Sequence, residues 1–275
     1  MLKQRLITGL ILAPIVLFCV FRLEQANFAL FFGGVIALAA WEWANLSSYV
    51  TQVQRIAYAI IMCGLLYLTS AFTIEWILLF SVIWWIIAAF FVLSFPDTKG
   101  IWSARAVRCL IGIIVLVPMW SALVFIREAD LKYAPELNGL WVILYMLLMV
   151  WAADVGAYFS GKTWGKAKLA LKVSPGKSWA GAWGGLGSTV ILALVAAYIL
   201  ELSSLLTIQL VVITVITAVI SIIGDLTESM FKRVRGIKDS SQLLPGHGGI
   251  LDRIDSLAAA VPVFVFLLLA LGWVV

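Results

Sequence analysis

Apolar residues come in long blocks broken by short polar stretches along nearly the whole 275-residue chain. A helix crossing the hydrocarbon core of a bilayer needs roughly 20 apolar residues in succession. Blocks of that order stand at 6–22, 27–45, 56–72, 75–95, 109–126, 139–158, 183–200, 204–224 and 256–275. The pattern predicts an all-α, polytopic membrane helical bundle of about nine transmembrane helices. The second and sixth blocks are the least regular, because each carries an acid, Glu42 and Asp154. Residues 1–138 read as an N-terminal transmembrane scaffold with short loops. Residues 139–275 hold the polar chemistry in two longer stretches, 159–182 and 225–255. Trp41, Trp43, Trp76, Trp84, Trp85, Trp102 and Trp120 fall at or near predicted span ends, as interfacial belts do. Glu42, between two of these tryptophans, is expected at a wet interface rather than in a functional role.

Composition narrows the class. With 64% hydrophobic residues, 12% charged residues and a mean hydropathy of +1.09, a soluble domain is excluded. Lys3 and Arg5 precede the first apolar run as in a secretory leader, but the run ends in Cys19-Val20-Phe21-Arg22 with no small-x-small cleavage site. An uncleaved first span is expected. Cys19, Cys63 and Cys109 are scattered in or beside apolar blocks, so neither a disulfide framework nor a thiolate metal site is indicated. With nine spans and a cytoplasmic N-terminus, sixteen of the nineteen Lys and Arg fall on the cytoplasmic side. Only Arg22, Arg127 and Lys132 fall on the other. This is the positive-inside distribution, with both long polar stretches in the cytoplasm and the C-terminus outside. The net charge of +5 reflects that topology and implies no nucleic-acid partner.

The segment 229–255 is the most informative. It contains Lys232, Arg233, Arg235, Lys238 and Arg253 against Asp239, Asp252 and Asp255, and Asp225 and Glu228 just upstream bring the balance near zero. A loop that only oriented the chain in the membrane would be basic. Acids interleaved with bases, beside glycines that let backbone approach a ligand, suit a divalent cation together with phosphate groups. If the eighth helix continues past the bilayer, Asp225, Glu228, Ser229 and Lys232 fall at i, i+3, i+4 and i+7 and share one face. Asp252 and Asp255 repeat the i, i+3 spacing at the start of the ninth. Two helix ends bearing carboxylates can converge on one hard cation, and Mg2+ favours few carboxylates, retained waters and phosphate oxygens. Surface ion pairs at the membrane edge are the plainer account of the charges, but leave the Pro245-Gly246-His247-Gly248-Gly249 cluster unexplained. For His247 the roles of general acid, phosphate donor and loop-structuring residue are all open.

Asp154 lies near the cytoplasmic end of the sixth block, where an ionisable group is costly unless paired or wetted, and a functional role is expected. Lys162, Lys166, Lys168, Lys172 and Lys177 follow with no acid among them. Positive-inside bias and anionic lipid explain much of this. The Ser174-Pro175-Gly176-Lys177-Ser178 turn can also present hydroxyls, N–H groups and an ammonium to a phosphate. Gly156-Ala157-Tyr158-Phe159-Ser160-Gly161-Lys162-Thr163 fits the P-loop pattern by letter. That motif needs a buried strand before it, and here a membrane helix precedes it, so the match is fortuitous.

Ser229-x-Phe231-Lys232-Arg233, Lys238-Asp239, His247-Gly248-Gly249-Ile250 and Asp252-Arg253-x-Asp255 together resemble the signature of the phosphatidate cytidylyltransferases, or CDP-diacylglycerol synthases. Asp154, Gly161-Lys162, Gly165-Lys166 and Ser174-Pro175-x-Lys177 are similar to that family's second, looser region, with Ala180 where many members carry an acid or amide. The resemblance implies that CTP and phosphatidic acid give CDP-diacylglycerol and pyrophosphate in phospholipid biosynthesis, with Mg2+ and room for a second cation. It implies a multi-pass protein of the bacterial cytoplasmic membrane, with a catalytic region at 139–275 facing the cytoplasm, and leaves a homodimer open. On this reading Asp225 and Asp252 bind the metal, with Asp255 and Glu228 as further candidates. Lys232, Arg233, Lys238 and Arg253 contact phosphate oxygens, Asp239 orients a base or second cation, and His247 approaches a phosphate with the Gly248 and Gly249 backbone. Asp154, Lys162, Lys166, Ser174, Lys177 and Ser229 meet the substrates. A transporter would instead place paired broken helices at the midplane. Enzymes that consume CDP-lipids share an Asp-Gly…Ala-Arg…Gly…Asp…Asp pattern that is missing here.

Overall fold

The computed structural model describes the backbone of residues 2–274 and the side chains of residues 8–274. The chain forms α1 (Leu2–Arg22), α2 (Gln25–Leu46), α3 (Gln52–Leu68, extended by a 3-10 turn Thr69–Ala71), α4 (Ile74–Leu93), a short α5 (Lys99–Trp102) and α6 (Arg105–Glu128). There follow α7 (Gly139–Trp164), a hairpin of β1 (Lys168–Ala170) and β2 (Ser174–Ser178), α8 (Trp179–Ile199), α9 (Ser204–Arg235) and α10 (Leu251–Ala270). Eight helices, α2 to α4 and α6 to α10, are long and apolar enough to cross a membrane, and the protein is a nearly all-α polytopic bundle. The ninth expected span is α1, whose apolar part among the described side chains is the shorter Thr8–Arg22. The side chains of Lys3 and Arg5, and Val275, lie outside the described residues.

Polar side chains set several boundaries. Thr51, Asn138, Ser178 and Ser203 each accept a hydrogen bond from the first turn of α3, α7, α8 and α9, satisfying amides that have no partner inside the helix. α9 ends at Gly236, which takes a left-handed φ of 76° and returns its N–H to the Arg233 carbonyl. Lys232, Arg233 and Arg235 occupy that last turn, where cations oppose the helix dipole. At about 1.5 Å per residue, the 32 residues of α9 exceed the ~30 Å hydrocarbon core, so its C-terminal turns reach headgroup depth. α7 runs to Trp164 and absorbs the whole P-loop-like octapeptide into helix, as expected of a fortuitous match.

Close packing positions the site. α7 and α8 meet through small residues: a Cβ on Gly184 would stand 1.9 Å from Ser160 Oγ, and one on Gly156 2.0 Å from Ser188 Oγ. Ser188 Oγ donates to the Ala152 carbonyl of α7 at 2.9 Å, the kind of small-residue contact that joins helices in lipid. α9 and α10 approach at Gly224, where a Cβ would stand 2.7 Å from the Asp255 carbonyl oxygen. At one end of the bundle the loops are sewn together. Arg108 Nη1 donates to the Leu46 carbonyl at 3.1 Å, Arg235 Nε to the Asn45 carbonyl at 3.1 Å, and Arg233 Nε to the Val173 carbonyl at 3.0 Å. At the opposite end the Lys132 amide meets the Trp273 carbonyl at 3.0 Å.

Two expectations need correction. Trp43, Trp84, Trp85 and Trp102 are buried rather than interfacial. Trp84 and Trp85 stand inside α4, and Trp102 packs edge-on against Phe231 of α9 at 5.0 Å between centroids. Their large apolar rings fill the space between helices instead of anchoring the membrane edge. Glu42 is not at a wet interface either: it is fully buried, held by hydrogen bonds described below.

Candidate active site

The last turns of α9 present the predicted face. Asp225, Glu228, Ser229 and Lys232 are all helical, and Ser229 Oγ donates to Asp225 Oδ1 at 3.3 Å. Lys232 Nζ lies 3.1 Å from Glu228 Oε1 and 2.8 Å from Asp252 Oδ1, so one ammonium joins α9 to α10. α10 begins at Leu251, five residues earlier than its apolar block, which places Asp252 and Asp255 in its first turns. Asp255 interacts electrostatically with Asp225, Lys232 and Lys177. The two acid pairs therefore converge.

The strand hairpin brings the second lysine. Lys177 of β2 forms an ion pair with Asp225 Oδ2. Ser178 begins α8, its Oγ accepting from the Gly181 amide at 3.1 Å. Asp154 on α7 lies within electrostatic reach of Asp225, Lys177 and Arg253. Asp154, Lys162, Lys177, Ser221 and Asp225 line a cavity of about 430 Å3 between α7, α8 and α9. Most of its other walls are small or apolar, among them Ala153, Ala157, Ala182 and Ala218. An ionic end beside an apolar groove suits an amphiphile with a charged head.

The loop 236–250 is tied to the start of α10 through Asp252. Asp252 Oδ2 accepts the Ser240 amide at 2.9 Å, Ser240 Oγ at 3.0 Å and the Gly249 amide at 2.7 Å. Gly248 has a φ of 86°, and a Cβ there would stand 2.6 Å from Asp252 Oδ2. Asp252 is thus a clasp that shapes the loop, with its other oxygen on Lys232. Glu42 accepts from Ser241 Oγ, the Ile250 amide at 3.0 Å and the Leu251 amide at 2.6 Å, and stands 3.1 Å from Ser240 Oγ, whose one proton it shares with Asp252.

Not every candidate joins this centre. Lys166, Lys238, Asp239 and Arg253 are exposed, as is Lys162 at the cavity wall, and Arg233, also exposed, donates from Nε to the Val173 carbonyl. Ser174 opens β2, opposite Ala170. His247 packs toward Gly9 of α1, where a Cβ would stand 4.0 Å from its Cε1, and the adjacent Pro245 carbonyl accepts from Thr8 Oγ1 at 2.9 Å. Sequence reasoning missed Ser240, Ser241 and the true place of Glu42. The Ser-Ser pair beside Asp239 was the available signal for the first two. Glu42's partners lie about 200 positions away along the chain.

Among the described residues no three His, Cys, Asp or Glu side chains form a ready metal cage. The charge pattern nonetheless suits a cation. Among the described residues Asp225, Glu228, Asp252 and Asp255 face two ammonium groups, Lys177 and Lys232. Glu228 Oε1 meets only the shared Lys232 ammonium and Oε2 is buried with no hydrogen-bond partner, an arrangement that a divalent ion would complete.

Fold and site together define a multi-pass integral membrane protein with an ionic, carboxylate-rich cavity at one end of its helical bundle. The chain belongs to the cytidylyltransferase family, whose sequence pattern matches residues 3–271. It is 48% identical over 277 residues to the phosphatidate cytidylyltransferase of Pseudomonas aeruginosa, covering 99% of each chain. It is 40% identical over 292 residues to that of Haemophilus influenzae, covering 96% of this chain and 97% of the relative. A 40% match to the Bacillus subtilis phosphatidate cytidylyltransferase spans 164 residues, 58% of this chain and 59% of the relative.

Proposed function

We propose that this protein transfers the cytidylyl group of CTP to phosphatidic acid, releasing pyrophosphate and forming CDP-diacylglycerol. The observation that carries the reading is the meeting of α9 and α10 carboxylates with Lys177 and Lys232 beside an apolar cavity. A phosphatidate oxygen attacks the α-phosphorus of CTP, and the bond from that phosphorus to the oxygen bridging to the β-phosphate breaks. The phosphomonoester has a second pKa of about 6, so the attacking oxygen is largely ionised at neutral pH and needs no strong base. The protein's task is to bring two anions together and hold them in line.

Lys177 and Lys232 leave their carboxylate partners for phosphate oxygens, with Lys162, Lys166, Lys238 and Arg253 drawing the anions in from the rim. Asp225 and Asp255 offer free oxygen valence to Mg2+, with Glu228 beside them and Asp252 Oδ1 accessible once Lys232 turns away. When bound, the ion would neutralise phosphate charge in the way the surplus carboxylates anticipate. The alanine-lined groove between α7, α8 and α9 takes the acyl chains from the side, and Asp154 and Ser229 flank the headgroup. The loop-rich end, where most bases gather, faces the cytoplasm of a bacterium. Residues 1–138 act as scaffold for the catalytic region 139–275.

The test is pyrophosphate release by purified protein given phosphatidate and CTP, ATP, GTP or UTP, with and without Mg2+. Release with CTP and Mg2+ alone is the expected result. Equal release without phosphatidate, or none with any nucleotide, would remove the reading.

A further inference from the structure

Glu42 belongs to α2, remote in sequence from every group assigned to the reaction, yet its carboxylate is fully buried and is met by donors from Ser240, Ser241, Ile250 and Leu251, at the end of the loop and the start of α10. Burying a carboxylate is costly unless its oxygens are met by donors, and here they are. Two of those donors are the Ile250 and Leu251 amides, the opening N–H groups of α10. No local side chain caps that helix, since its N-cap position is Ile250. Glu42 therefore supplies from another helix both the missing acceptor and a negative charge at the positive end of α10.

The arrangement leaves its mark on neighbouring residues. A Cβ on Gly249 would stand 2.1 Å from Ser240 Oγ and 2.4 Å from Glu42 Oε1, so the carboxylate and the hydroxyl occupy the place a side chain would take. Asn45, one turn further along α2, donates from Nδ2 to the Ser240 carbonyl at 3.3 Å. Ser240 then passes the placement on: its amide and hydroxyl both donate to Asp252 Oδ2, while the hydroxyl also stands 3.1 Å from Glu42 Oε2. Asp252 in turn fixes Lys232 Nζ.

We infer that Glu42 is a positioning residue for cytidylyl transfer, setting through Ser240 and the start of α10 where Asp252 and Lys232 stand. The inference rests on the reaction proposed above. It touches no substrate; it acts by holding the groups that do.

The test uses the full chain in lipid nanodiscs and four variants, Glu42→Gln, Ser240→Ala, their double variant and Asp252→Asn as a control on the reaction. Glutamine keeps the size of the side chain but turns an N–H2 toward amide and hydroxyl donors. The expected loss in kcat for Glu42→Gln is about 100-fold, the scale of a misplacement of roughly 1 Å, with KM for phosphatidate unchanged. Hydrogen exchange at the Ile250 and Leu251 amides should quicken. Ser240→Ala should lower kcat by about tenfold, and the double variant should be no slower than Glu42→Gln, because groups acting in series do not add. Wild-type kcat in Glu42→Gln, or losses that multiply in the double variant, would overturn the inference. Should Glu42→Gln fail to fold, Ser240→Ala decides alone: wild-type kcat there overturns it. Full activity in Glu42→Gln beside an inactive Asp252→Asn would reject the positioning role and leave the reaction standing, whereas an inactive wild type rejects the reaction itself.

Discussion

Lys232 and Asp252, one on α9 and the other on α10, are joined at 2.8 Å with side chains only 12% and 5% exposed. The same ammonium serves Glu228 at 3.1 Å. One lysine thus holds two buried carboxylates in place from neighbouring helices.

Lys232→Met should cost about 3–5 kcal/mol of stability, because it strands Glu228 and Asp252 without their cation. Thermal unfolding in detergent measures this, and an unchanged melting temperature would contradict it. Pyrophosphate release should vanish in the same variant.

Lys177→Ala should behave differently. Its pair with Asp225 is about a quarter exposed on each side, so the stability cost should be only ~0–1 kcal/mol. Turnover should nevertheless fall on the order of 100-fold, as when a charge-stabilising donor is lost from a reacting centre. A variant that melts early but turns over normally would reverse these roles.

Asp225→Asn and Asp255→Asn should each raise the Mg2+ concentration needed for half-maximal rate, and chelation of the wild type should stop turnover until Mg2+ is returned. A Mg2+ titration that superimposes on the wild type in both variants would take these two residues out of the metal role.

Gly248→Ala should destabilise by about 1–3 kcal/mol, since it forces a side chain into a left-handed backbone conformation. Its Cβ would also meet Asp252 Oδ2 at 2.6 Å. Denaturant unfolding checks the magnitude, and hydrogen exchange at the Ser240 amide checks that the clasp has opened.

Much of this was readable before the fold. Hydrophobic block lengths mark the spans because a bilayer imposes one thickness on every helix. The shared face of Asp225, Glu228, Ser229 and Lys232 follows from helical spacing alone. The two acid pairs come together because Gly224 allows α9 and α10 to touch, a contact that one sequence does not announce. The strand hairpin was hidden in a run of lysines and glycines that suggested only a turn. Glu42 was misplaced for a clear physical reason: local sequence shows an acid between tryptophans, while its donors come from a loop about 200 positions away. Trp84 and Trp85 were misplaced similarly, because span ends and buried helix faces carry the same ring.

At Gly156, Gly184 and Gly185 the seam between α7 and α8 leaves no gap for a side chain. These two helices are therefore expected to move as one body, so that any widening of the cavity falls at their contact with α9. Spin labels bridging α7 and α8 should report one fixed separation, while labels bridging α8 and α9 report a spread that narrows when lipid enters.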